Sequence, residues 1–264
     1  MTPRATITMP AYNAEATLRD AVDSALAQTV EDFELVVVDD GSRVRVEEVL
    51  ADIRDERLRI VRHERNRGLG PTRNTALRSA RAPLLCHLDA DDRYEPEYLE
   101  ALLPCFEDPE VGLAYPNAHV FGINEHPYIR DASLHPARLP GLARQNTIPN
   151  FSMVRREALE SIGGYAEFTW GAMDWYLYLR VAGAGWRFAY VDRILAHYRW
   201  TGESMSQDWD KVQRSNLAVL WRFMLHHPLK RGPHRLVAKL ALREAGTRIP
   251  GARRLKDAAV GRRA

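Results

Sequence analysis

The first ninety residues alternate between two hydrophobic rhythms. The run from Ala5 to Met9 (ATITM) predicts a short strand. From Glu15 to Gln28, Ala16, Leu18, Ala21, Val22, Ala25 and Leu26 recur at the spacing of one helical face. Phe33 to Val38 (FELVVV) is apolar almost without interruption, the pattern of a strand covered on both faces. A short helix around Val46 to Ile53, a strand from Leu58 to Arg62, a helix from Leu69 to Ala80 and an apolar run from Leu84 to Leu88 continue the series. Strand and helix in alternation predict βαβ units, hence an α/β fold with a mostly parallel central sheet and helices on both faces. From Tyr115 to Asn150 the chain is rich in Pro, His, Gly and Asn without firm periodicity, which predicts an irregular stretch; a helical pattern returns at Trp175 to Val181.

In open sheets of this kind ligands bind beyond the carboxyl ends of the strands, and here those ends are polar and acidic. PAYNAE (Pro10 to Glu15) follows the first strand, DDGS (Asp39 to Ser42) the second and DADD (Asp89 to Asp92) the fourth. Each loop alone also reads as ordinary turn and cap chemistry. Together they set six carboxylates on one edge, five of them aspartates, which repel one another unless a cation lies among them. Closely spaced Asp residues offer hard oxygen ligands that suit Mg²⁺ or Mn²⁺ completed by the oxygens of a diphosphate.

With 264 residues, 45% of them hydrophobic, the chain is long enough to bury a large core. Its most apolar segment, LAVLWRFML (Leu217 to Leu225), is broken by charge and falls short of the roughly 20 residues that a membrane span needs. The N-terminus has no secretory pattern, so a cytoplasmic location is expected. Cys86 and Cys105 lie in apolar runs and predict buried thiols. The net charge of +2 conceals an asymmetry: Pro228 to Ala264 holds eleven basic and two acidic residues, a balance of +9, which leaves −7 for residues 1 to 227. A boundary is therefore expected near HHPLKRGPH, with a globular body over 1–227 and a basic helical extension over 228–264. In that extension Leu236, Val237, Leu240 and Leu242 alternate with Lys and Arg, as in a basic amphipathic helix on the inner face of an anionic membrane. A solvated helix packed on the body is the alternative, and no nucleic-acid partner is expected.

MPAYNAE, VVVDDGS, NRGLGPTRNTAL, LDADD and IGGYAEF…MDWYLYLR, in this order and at these separations, resemble the family 2 glycosyltransferases of the GT-A fold. The similarity runs from about Ile7 to Ser206. It implies a metal-dependent, inverting enzyme that takes a sugar from a UDP, dTDP or GDP donor to a glycan or lipid-linked acceptor, in the synthesis of bacterial surface polysaccharide or another glycoconjugate. Residues 1–114 would form the nucleotide-sugar half, and 115–227 the half that holds acceptor and base. By resemblance, Tyr12 packs on the nucleobase, with Pro10, Asn13 and Glu15 completing its motif, and Asp39 accepts a hydrogen bond from the base. Arg73 lies near base and phosphates, while Asn74 is structural. Asp89, with Ala90 beside it, reaches ribose or metal, and Asp91 is the direct metal ligand; Asp92 is expected to cap the helix that follows. Arg199, in the segment LAHYRWTGESMS, would neutralise leaving-group charge through its guanidinium.

The resemblance also assigns the general base, which must remove the acceptor's hydroxyl proton, to Asp174 in MDWYLYLR. Met173 stands where the family usually has Glu, and the frequent His after Arg199 is missing. Read locally, Asp174 also fits a helix N-cap, and the two roles are compatible. Trp170 and Trp175 flank it and are the candidates for stacking on an acceptor sugar; His197 is expected to pack. Other readings of the acidic loops are a nucleotidyltransferase, which lacks its Gly-rich basic phosphate loop here, and an Asp-nucleophile phosphatase, which leaves Asp39 and Asp174 unused. The incomplete glycine pattern of GLGPTRN argues against a dinucleotide site. A non-catalytic nucleotide-sugar binder or scaffold remains the alternative, motivated by Met173 and the missing His.

Overall fold

The computed structural model describes residues 2–122, 126–128, 136–143, 145–167, 171–201 and 209–226. The basic extension, Trp170 and part of the expected acceptor loop lie outside these residues. The first half follows the predicted alternation: β1 (Ala5–Ala11), α1 (Leu18–Leu26), β2 (Phe33–Asp39), α2 (Val46–Val49), β3 (Leu58–Arg62), α3 (Leu69–Ser79) and β4 (Leu84–His87). These four strands are parallel in the order β3-β2-β1-β4. β2 is buried along its whole length because both faces are covered. Leu35 and Val37 join α1 residues in one cluster, and Val36 and Val38 meet Ala76 of α3 on the other side.

The second half turns the sheet into a mixed one. It runs β5 (Arg93–Tyr94), α4 (Tyr98–Leu102), β6 (Val111–Gly122), β7 (His126–Tyr128), α5 (Leu139–Leu142), β8 (Met153–Arg155), α6 (Arg156–Ser161), α7 (Met173–Gly183), β9 (Arg187–Trp200) and α8 (Trp209–His226). β8 inserts antiparallel between β4 and β6, β6 pairs parallel with β9, and β5 closes the edge antiparallel to β9. The irregular stretch expected from Tyr115 is corrected by β6, which continues to Gly122. Its alternation is masked in the sequence by small residues and by register shifts at Pro116, Asn117 and Ala118, where β6 bulges against β9. Apolar residues of α1 and α4 pack on one face of the sheet, and those of α6, α7 and α8 on the other. Cys86 is fully buried and Cys105 half-buried; both are free thiols. No helix among the described residues is long and apolar enough to cross a membrane.

Two close approaches lock the halves together. Gly70, in the first turn of α3, leaves so little room that a Cβ there would lie 2.3 Å from the Ala166 carbonyl oxygen. One turn on, Asn74 donates to the Tyr165 carbonyl (3.0 Å) and to Glu167 (2.8 Å) and accepts from the Tyr165 N–H (2.8 Å), which bears out its structural role. Gly70→Ala should therefore lower stability by about 1–3 kcal/mol through overpacking against backbone. Gly141→Ala, where a Cβ meets nothing within 4 Å, should be close to neutral. Thermal unfolding of the two variants side by side checks this, and equal midpoints would refute it.

Candidate active site

The strand order reverses between β1 and β4, so the loops after these strands leave the sheet on either side of one crevice, the place where open α/β sheets bind ligands. Pro10 lies beyond Thr8, the last β1 residue paired with β4, so its missing N–H falls at the mouth of that crevice. Tyr12 follows with half its surface exposed (51%). Asn13 adopts a left-handed conformation (φ 49°), in which its N–H meets the Ser42 hydroxyl (3.1 Å) and its side-chain oxygen accepts from the Arg43 N–H (2.9 Å). Glu15 pairs with Arg43 at 3.6 Å. The PAYNAE and DDGS loops are thus stitched into one surface.

Asp39 and Asp40 build the floor. Asp39 is fully buried; it accepts the Ser42 N–H at 2.8 Å and the Val46 N–H at 3.3 Å, and it pairs with Arg62. Arg62 was missed in the sequence, although aligning the apolar runs of β2 and β3 sets the two residues opposite each other in register. Asp40 accepts from His63 Nδ1 (2.7 Å) and from the N–H groups of Arg67 (3.0 Å) and Gly68 (2.8 Å), while His63 Nε2 hydrogen-bonds with the Thr75 hydroxyl (2.9 Å). The turn before α3 is held in place by this one carboxylate. Gly41 permits it: its φ is +75°, and a Cβ would lie 2.6 Å from the Arg65 backbone.

Arg73, on α3, is the centre of the site. It is 2% exposed, yet its guanidinium reaches Asp174, Asp89 (3.1 Å) and the Asn150 side-chain oxygen (3.3 Å). Asn150 in turn donates to the second oxygen of Asp89 at 2.5 Å. It too was missed: a lone Asn in a stretch without periodicity carries no signal. Asp174 is not the N-cap that local reading suggested, because α7 begins at Met173 and its first-turn carboxylate turns to Arg73. Ala172 precedes it in the left-handed region (φ 53°); it and Asn13 are the non-glycine residues with positive φ among those described, and both border the crevice. Burial raises the Asp174 carboxyl above its ordinary range, partly opposed by Arg73. Met173 is buried with its sulfur 4.0 Å from the Arg73 guanidinium, so the position beside Asp174 adds no second carboxylate.

The DADD loop crowds three carboxylates within four positions. Burial, and then the charge of Asp89, pushes Asp91 up to about 6. Asp92 is driven well above the carboxylate range by burial and by its two neighbours. Contrary to the expectation, Asp92 does not cap a helix: β5 and a turn intervene before α4, and Asp92 instead accepts the Arg199 N–H at 2.8 Å. Its other oxygen is buried without a partner among the described residues. Arg199 Nε donates to the Asp91 carbonyl (2.7 Å), and its guanidinium continues to Asp20 (2.9 Å) over the Phe121 ring. Thr17 donates to the Ala90 carbonyl at 2.9 Å, tying the start of α1 to the same loop. Trp175 corrects an expectation: it is buried and donates its indole N–H to the Leu142 carbonyl (2.7 Å), because α7 turns that face into the core, so the ring offers no stacking surface. His197 packs against Phe121 and His119, as expected, and contacts Glu95.

The sequence profile of glycosyl transferase family 2 matches residues 6–163, which take in every loop just described except that of Asp174. The chain belongs to this family. It is 34% identical over 149 residues to the succinoglycan biosynthesis protein ExoO of Rhizobium meliloti, across 56% of this chain and 42% of that protein. It is 28% identical over 226 residues to the chondroitin synthase of Escherichia coli, across 81% and 31%. With WfgD of Escherichia coli, a UDP-Glc:alpha-D-GlcNAc-diphosphoundecaprenol beta-1,3-glucosyltransferase, it shares 31% identity over 118 residues, 45% of this chain and 47% of that one. The family 2 chain thus spans less than half the length of these relatives. Two solved structures share its GT-A fold at 19% identity. S. aureus TarS 1-349 in complex with UDP-GlcNAc has a TM-score of 0.72 over 90% of this chain and 71% of that one. The mannosyltransferase PcManGT from Pyrobaculum calidifontis, in complex with GDP-Man and Mn²⁺, has a TM-score of 0.72 over 99% and 80%.

Without its guanidinium, the site would keep two carboxylates that are each about a quarter exposed. Arg73→Met should therefore cost about 2–3 kcal/mol, below the range for a fully buried pair. Asp174→Asn in the same chain should recover part of the loss. Urea unfolding of the single and double variants measures the coupling; strictly additive losses would remove Arg73 from its bridging role.

Proposed function

We propose that this chain transfers a glycosyl group, with inversion, from a nucleoside diphosphate sugar to an acceptor hydroxyl. The observation that carries the proposal is the Arg73 bridge, which sets a candidate base, Asp174, beside a carboxylate of the donor loop, Asp89, within one crevice. In the reaction, the acceptor oxygen bonds to the anomeric carbon as the bond from that carbon to the diphosphate oxygen breaks. The hydroxyl proton passes to an Asp174 carboxylate oxygen, whose affinity for it is raised by burial. The half-exposed Tyr12 ring offers a stacking face to the nucleobase. Asp39 would receive the base N–H where Arg62 now sits, since its other partners are fixed backbone amides. In the DADD loop Asp91 would hold a divalent cation, with Asp89 assisting from between Arg73 and Asn150 and diphosphate oxygens completing the shell; the loop's raised carboxylates support this reading, although the described residues gather no group of three ligating side chains. Mn²⁺ or Mg²⁺ held there supplies charge neutralisation for the departing nucleoside diphosphate. PcManGT with GDP-Man and Mn²⁺ and TarS with UDP-GlcNAc support this donor class. The names of ExoO and WfgD support a growing polysaccharide or a lipid-linked saccharide as acceptor.

Asp174→Asn keeps the size of the side chain and should bind donor about as tightly as the parent while losing roughly 10²- to 10⁴-fold in transfer rate. A parental rate would remove Asp174 from the mechanism. Donor binding without turnover by the parent would make the chain a nucleotide-sugar binder, the reading that Met173 favours. Asp91→Asn should abolish the dependence of donor binding on Mn²⁺, with stability unchanged or raised because repulsion within the loop is relieved. A thermal-shift screen with UDP, dTDP and GDP sugars, with and without Mn²⁺, reads this; full activity in EDTA would exclude the metal role.

A further inference from the structure

α8 covers the body with one side only. Val219, Leu220, Phe223 and Met224 are buried, and α8 packs along α7. Lys211, Arg214, Trp221, Arg222, Leu225 and His226 are exposed and share the opposite arc, about 140° wide at the helical period. Trp221 (57% exposed) and Leu225 (65%) stand one turn apart; the other exposed large hydrophobics among the described residues, Tyr12 and Ile194, lie elsewhere. The sequence from Lys211 to His226 contains no acidic residue. Near the C-terminal end of α8, His226 and Arg180 of α7 line a cavity of about 380 Å³.

Trp beside Leu in a field of cations matches the headgroup region of an anionic bilayer: the aromatic ring settles at the interface, and each Lys or Arg near the surface is attracted by lipid phosphates. The chain's own continuation fits this face poorly, since Pro228 to Ala264 carries +9 and would be repelled. A two-fold contact with a second copy would likewise oppose cation to cation. We propose that the outer face of α8 docks the protein on an anionic lipid bilayer, with Trp221 and Leu225 entering the headgroup region and Lys211, Arg214 and Arg222 facing the lipid phosphates. This inference does not depend on the glycosyl-transfer reading.

The test is co-sedimentation of the full chain with vesicles of phosphatidylcholine, with or without phosphatidylglycerol. The parent should pellet with the anionic vesicles and be released by salt. Trp221→Ser/Leu225→Ser should weaken binding about tenfold, and Arg214→Glu/Arg222→Glu at least about fivefold per lost cation. Both variants should keep the parent's unfolding temperature and donor affinity, because the altered side chains are exposed and outside the crevice. Failure of the parent to bind, equal binding to neutral vesicles, or undiminished binding by the Trp221→Ser/Leu225→Ser variant would each overturn the proposal. A dimer in gel filtration that this variant dissociates, without any change in vesicle binding, would assign the face to a second copy instead.

Discussion

A guanidinium that is 2% exposed needs acceptors in place of the water it has lost, and around Arg73 both Nη atoms find them while Nε is buried without a partner among the described residues; that need fixes the geometry there. Its partners come from three distant parts of the chain: Asp89 after β4, Asn150 before β8 and Asp174 at the start of α7. α3 has to sit at one height and one rotation for a single side chain to reach all three. The residues around Arg73 on the same helix supply that constraint. Gly70 lets the backbone approach Ala166, Asn74 grips Tyr165, and Thr75 meets the His63–Asp40 pair beneath the preceding turn. Packing, polar satisfaction and site geometry therefore depend on one another.

The acidic loop is organised against its own repulsion. Asp89 is drawn toward Arg73 and Asn150, Asp92 is buried against the Arg199 N–H, and Asp91 lies between them with a raised proton affinity. Such a loop is held by its surroundings rather than by its own preference. Thr17 from α1, Arg199 from β9 and the hydrogen bond from Leu88 N–H to the Thr8 carbonyl (3.1 Å) all converge on it. The left-handed conformations of Asn13 and Ala172 at the rim of the same crevice cost energy that surrounding contacts must offset. Crowded like charges and strained backbone together set this edge apart from the rest of the sheet.

The two halves use the sheet differently. In the first, parallel strands bring their carboxyl ends to one edge, so residues far apart in sequence face a common ligand. In the second, β8 inserts antiparallel beside β4, and the chain returns through α6 to place α7 with its N-terminus at the crevice. α8 then closes the core cluster of α7 with Val219, Leu220 and Phe223 and leaves a basic, aromatic-bearing face outward. The layer that completes the core thus also creates a surface with its own chemistry.

The sequence by itself determined the order of elements in the first ninety residues, because hydrophobic period is a local property: β3 spans the residues that the pattern indicated, and β1, β2, β4 and α3 differ only at their ends. It also determined that acidic loops end three strands, since topology sends the ends of parallel strands to one edge. What each carboxylate meets was decided by tertiary structure alone. Asp39 finds Arg62 through strand register, Asp92 finds the backbone of a strand more than a hundred residues away, and Arg73 joins Asp174 across 101 positions. Trp175 and Asp174 are adjacent in sequence, yet one is buried in the core and the other reaches the site, because α7 is rotated by the packing of its apolar residues. Side-chain direction follows from register and packing, which a local pattern does not encode.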